Sequence, residues 1–110
     1  MTVDNPSVID AMGIDKASGE IVLTVADHLG WSDEGLHLET LQAKLNRYLE
    51  FIQSGQVFEG SDKEPGTPVR IDVVGKHEVP DSVRWFFDKV DEVADQVGAT
   101  VTCYQLPNGY

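Results

Sequence analysis

The sequence holds one cysteine, eight basic residues and no apolar run long enough for a membrane span, and each shortage excludes something. Cys103 has no partner for an internal disulfide and no neighbouring cysteine for a zinc site. A spanning helix needs roughly 18–20 consecutive apolar residues, so none is expected. Asp4 and Pro6 stand where a secretory leader would carry a basic segment and an apolar core, which points to a cytoplasmic protein. Eight bases against nineteen acids leave a net charge of −11, spread along the chain. A body of that sign repels phosphate backbones, which excludes nucleic acid and anionic membranes as direct partners. The acids either keep a small protein in solution or face a basic protein partner, whose binding would weaken as salt rises.

Other chemistry is missing too. No glycine-rich run joins a strand to a helix with a lysine following, so there is no phosphate loop. His28 and His37 are nine residues apart with no cysteine partner, so no metal site is read, and no cofactor is expected. No nucleophile, base and orienting group fall together, so the chain is read as non-enzymatic. There is no internal repeat and no low-complexity tract.

At 110 residues, with 41% hydrophobic and 25% charged side chains, the chain suits one α+β domain over 1–110. The central stretch is 38–52, where Leu38, Leu41, Leu45, Tyr48, Leu49 and Ile52 recur at steps of three and four along one stripe of a helix. Glu39, Lys44, Asn46, Arg47 and Glu50 are assigned to its other faces. Strands are expected over 8–14, 20–27, 69–74 and 100–106. Ser32 or Asp33 is the expected cap of the first helix, and Ser54-Gly55 its end. The segment 56–68, where glycine and proline breaks surround Lys63 and Glu64, is expected to be a mobile loop, and 1–7 and 107–110 to fray.

Pro80 and the possible caps Asp81 and Ser82 announce a second helix, on which Val83, Phe86, Phe87, Val90, Val93, Ala94 and Val97 share a stripe and Gly98 ends the run. The order β-β-α-β-α-β then predicts a two-layer, mixed four-stranded sheet with two helices on one face. Val22, Thr24, Arg70, Asp72, Val74, Thr102 and Tyr104 fall on the other face. Bare valines, threonines and a tyrosine invite a cover, so a homodimer through this face, or a partner bound there, is expected.

Two groups are candidate sites. Asp27, His28, Trp31, Asp33 and His37 lie where a strand's carboxyl end meets a helix, the usual place for ligands in parallel sheets. The same residues could equally close a corner, with His28 hydrogen-bonded, Trp31 packed over the helix start and Asp33 capping. Trp85 lies off the main stripe of the second helix, as a core flank or an exposed anchor, and Asp88, Asp91, Glu92 and Asp95 would make an acidic partner surface with it. Cys103 reads as a small core residue rather than a nucleophile.

The block from Val8 through Gly13-Ile-Asp15, Gly19-Glu-Ile-Val-Leu-Thr24, Asp27-His-Leu29, Trp31, His37-Leu38 and Leu41-Gln-Ala-Lys-Leu-Asn46 to Ser54-Gly55 resembles a family of short bacterial proteins of unknown function. The resemblance implies a small bacterial cytoplasmic domain and brings no activity. Three functions stay open: an acidic protein-interaction module, immunity-like or regulatory; a small-molecule binder or hydrolase at the Asp27–His37 loop; and a structural homodimer.

Overall fold

The first reversal of the chain is set by Asp15. Its carboxylate accepts from the Ala17 amide at 2.9 Å, its carbonyl from Gly19 N at 2.7 Å, and its own N–H donates to Glu20 O at 2.9 Å. Gly19 supplies the left-handed φ of 77° that closes the turn. On either side, β1 (Ala11–Ile14) and β2 (Ile21–Asp27) pair antiparallel, Ile14 opposite Ile21 and Ala11 opposite Thr24. The computed structural model describes residues 9 and 11–105. The strand expected over 8–14 is therefore seen as 11–14, with Ile9 packed against the core and residues 8 and 10 outside the described residues. The ends expected to fray also lie outside them.

Asp33 caps α1 (Glu34–Gln53), its carboxylate accepting from Leu36 N at 3.1 Å, and Gly55 at φ 84° turns the chain out of the helix. The buried positions are His37, Leu41, Lys44, Leu45, Tyr48 and Ile52. Lys44, assigned above to an outer face, is completely buried. It lies three residues after Leu41 and four before Tyr48, on the same stripe, with Nζ 5.7 Å from the Tyr48 ring centroid. The Tyr48 hydroxyl donates to Thr24 O and ties α1 to β2.

The segment read as a loop begins with a third helix, α2 (Gln56–Ser61). Val57 is fully buried and Phe58 packs against the core, and burying that pair outweighs the local breakers. Then come β3 (Val69–Gly75), a 3₁₀ turn (Asp81–Val83), α3 (Arg84–Asp95) and β4 (Ala99–Gln105). Asp81 and Ser82 do not cap α3. The Asp81 carboxylate faces Arg84 Nε at 2.8 Å, and Ser82 donates to Glu34 at 2.9 Å, joining the starts of α1 and α3.

The fold is α+β, with strand order β1-β2-β3-β4, β2, β3 and β4 parallel and β1 antiparallel. Alternate residues Ile21, Leu23 and Val25, with Val69, Ile71 and Val73, are buried beneath Leu41, Leu45, Ile52 and Phe86. Truncating one of these large aliphatic side chains to alanine removes about 2–5 kcal/mol. Both crossovers step the same way across the sheet. The strand order therefore never reverses, and the crevice that holds ligands in doubly wound sheets has no counterpart here.

Candidate functional site

Asp27 ends β2 with its side chain on the helix face, and His37 opens the buried stripe of α1, so the two meet beneath the connection between those elements. His37 Nε2 lies 2.6 Å and 2.8 Å from the two carboxylate oxygens, and Nδ1 lies 2.9 Å from Gly30 O. A carbonyl only accepts, so Nδ1 carries a proton. The other nitrogen would then point a lone pair at a carboxylate unless a second proton lies between them. The short contact is therefore a hydrogen bond with one proton shared between Nε2 and the Asp27 carboxyl group. Asp27 also accepts from Leu29 N at 3.2 Å, and Trp31 stacks on the imidazole with ring centroids 3.6 Å apart. Trp31 in turn meets Phe87 of α3 edge-on at 6.5 Å.

Of the five residues expected in this region, the structure gathers Asp27, Trp31 and His37, leaves His28 exposed, and uses Asp33 as a helix cap. His37 is 2% exposed and Asp27 5%. Both imidazole nitrogens are engaged and the ring is roofed by indole, so no nitrogen is offered to a ligand. This arrangement closes a corner. Among the described residues no group of three His, Cys, Asp or Glu side chains is placed to hold a metal ion.

The second candidate lies on α3. Trp85 is 61% exposed and sits at the lip of a groove of about 320 Å³ between α1 and α3, whose apolar walls are Leu49, Phe86, Val90 and Val93. At about 100° per residue, Trp85 marks a border: Val93, Phe86 and Val90 fall on one side, and Glu92, Asp88, Asp95 and Asp91 fan out on the other. The expected acidic surface is thus adjacent to the tryptophan. Asp91 has a separate task, accepting from Val101 N of β4 at 2.9 Å.

Cys103, read as a core residue, is exposed, because α3 covers Ala99 and Val101 but not the end of β4. Though the residue presents surface, its thiol is pushed up to about 11, first by desolvation and then by the charge of Asp27. A thiol held protonated is a poor nucleophile. It lines a cleft of about 440 Å³ with His77, Glu78, Arg84, Phe87 and Asp88.

The open sheet face holds a cluster that residue patterns did not reveal. Arg70 donates to both oxygens of Asp72 at 2.8 Å and 3.3 Å, to Asp15 at 3.0 Å and to Glu20 at 3.2 Å, while Thr102 donates to Asp72 at 2.6 Å. The guanidinium holds the Asp15 carboxyl below its usual range. Hydrogen bonds from Asp72 and then Asp15 raise the Arg70 proton affinity in return. Period-two alternation places Arg70 and Asp72 on one face; the arrival of Asp15 and Glu20 depends on the hairpin's position in the sheet.

Over residues 1–107 the chain matches the pattern of a family of unknown function, DUF6572. The chain belongs to DUF6572. No curated protein and no solved structure matches it. The resemblance to an unknown-function family thus stands, and DUF6572 brings no assigned chemistry. Among the described residues of this DUF6572 chain no helix is long and apolar enough to cross a membrane.

Proposed function

We propose that the chain is a non-enzymatic protein-binding module, bacterial and cytoplasmic, that neutralises or regulates a basic partner in an immunity-like role. The observation that carries this reading is Trp85, 61% exposed at the border between the α1–α3 groove and the acidic fan of α3. An exposed indole beside an apolar groove suits an amphipathic helix laid between α1 and α3, and the acids suit basic residues on that helix's flank. The closed Asp27–His37 corner and the protonated Cys103 thiol support a role without catalysis.

A second copy is the other occupant considered, on the open sheet face. That face carries half-buried Val22, Thr24 and Val74 and a Tyr104 that is 52% exposed, which favours a cover. Three carboxylates around one Arg70 oppose a second copy with the same excess, so the cationic partner is preferred.

The test compares the tagged protein with Trp85→Ala and with Asp88→Lys/Glu92→Lys/Asp95→Lys, in host lysate at low and high salt. A basic protein held by the wild type at low salt, released at high salt and lost by both variants supports the reading. Retention indifferent to both variants, or no retained protein, overturns it. A dimeric mass at micromolar concentration would transfer support to the second copy.

A further inference from the structure

The outer edge of β4 carries a site of its own. Val69 N donates to Gly98 O at 3.4 Å, and the register pairs Val69 with Ala99, so Thr100, Thr102 and Tyr104 direct their backbone groups at β3. The backbone groups of Ala99, Val101, Cys103 and Gln105 therefore face outward. Asp91 satisfies the Val101 N–H, and among the described residues nothing bonds those of Cys103 and Gln105. The other edge is different: β1 has four residues, and α2 leans on it so closely that a Cβ on Gly60 would stand 3.2 Å from Met12 Cε. An open edge with unpaired amides is a template for another strand.

Beside this edge lies the cleft that Cys103 lines, with Phe87 and Val79 as its apolar wall and Glu78, Asp88 and Arg84 as its charges. Arg84 is already paired with Asp81 at 2.8 Å. Glu78 and Asp88 form no ion pair among the described residues, so the cleft presents a negative excess beside an apolar wall. That combination fits an aliphatic stem ending in a cation.

We propose that the edge of β4 receives an extended segment of a partner protein as a fifth strand, pairing with Cys103 and Gln105 while a lysine or arginine of that segment enters the cleft toward Glu78 and Asp88. The backbone bonds supply attachment and the cleft supplies selection, because alternate side chains of an added strand point to one face. Asp91 sets the limit of pairing, since the Val101 amide is taken. A second copy fits poorly: pairing two β4 edges would bring two such acidic clefts together on bodies of net charge −11. The proposal deepens the protein-binding reading and rests on it only for the sign of the partner's charge.

The experiment uses a capped decapeptide of alternating lysine and valine, with a glutamate-for-lysine peptide as control, followed by amide-resolved NMR and hydrogen exchange on the full chain. The lysine peptide is expected to shift the Cys103 and Gln105 amides and slow their exchange at least tenfold, and the glutamate peptide to do neither. Gln105→Pro removes an outward N–H without touching the ladder to β3, and is expected to weaken binding at least tenfold. Glu78→Lys/Asp88→Lys, both at exposed positions, reverses the preference between the peptides and serves if the proline variant fails to fold. Trp85→Ala leaves peptide binding unchanged, which separates a failure here from a failure of the groove. Equal binding of both peptides, shifts confined to the α1–α3 groove or the open sheet face, no shift at millimolar peptide, or a doubled mass as a second copy takes the edge would each overturn the proposal.

Discussion

Replacing His37 by alanine tests the buried corner most directly. The substitution leaves Asp27 5% exposed with Leu29 N, at 3.2 Å, as its carboxylate's remaining donor among the described residues, leaves the Gly30 carbonyl without the imidazole, and strips Trp31 of its stacking partner. Removing one member of a buried pair costs about 3–5 kcal/mol because the other charge stays behind. For a domain of this size that lowers Tm by roughly 12–20 °C, a large share of the ~5–15 kcal/mol that holds such domains folded. Asp27→Asn is milder, since its amide can donate to Nε2 of a neutral ring that still donates through Nδ1; its expected cost is about 1–2 kcal/mol. Denaturant melts of both variants and of Asp27→Ala/His37→Ala complete the cycle. The double variant should be less destabilised than the sum of the singles by about 1–3 kcal/mol. A His37→Ala cost below about 1 kcal/mol, or strict additivity, would refute the claim that the two groups are coupled by a buried hydrogen bond.

Trp85→Ala should change stability by no more than about 0.5 kcal/mol, yet remove most of the fluorescence quenched by acrylamide, a neutral quencher suited to a chain of net charge −11. Loss of a poorly quenched component instead would place that indole in the core. Alkylation of Cys103 should accelerate up to about pH 11 and, at pH 8, run roughly a hundredfold slower than for a thiol at the usual value of 9.0; a rate midpoint near 9.0 would contradict the desolvated thiol. Arg70→Gln leaves Asp15, Glu20 and Asp72 without their common cation and should lower stability at neutral pH. Because Asp15 is held below its usual 3.8 when folded, the wild type keeps that contribution above pH 3.8 and loses it as pH falls through the lowered value. Acid melts of Arg70→Gln should lack this component, and identical acid slopes in both proteins would count against the pairing.

Much of the fold is legible in local patterns. The stripe of Leu41, Leu45, Tyr48 and Ile52, the Asp33 cap and the alternation through β2 and β3 each report a periodicity that backbone geometry imposes on any chain burying one face. Gly55 and Gly98 mark helix ends because few other residues take the left-handed turn. Local reading fails where distant contacts outweigh local preference. Gln56–Ser61 has breakers on both sides and is helical because Val57 finds the core. Lys44 looks like a surface residue by type and is buried by its place on the stripe.

The candidate sites divide the same way. Residue types alone mark Asp27, Trp31 and His37 as neighbours at a strand–helix junction, and Trp85 as a tryptophan off its helix's apolar stripe. Whether the first group is a pocket or a corner depends on where each imidazole nitrogen points, and Gly30 O and the Asp27 carboxylate take both. The exposure of Trp85, the acids gathered on Arg70 and the open edge of β4 depend on how α1, α3 and the hairpin pack on the sheet. By itself, then, the sequence determined the α+β class, the parallel run of strands and the acidic character, because periodicity and charge are summed along the chain. Only the tertiary structure decided which polar groups are satisfied and which remain free to bind, because that is a property of neighbours brought together from distant positions in the chain.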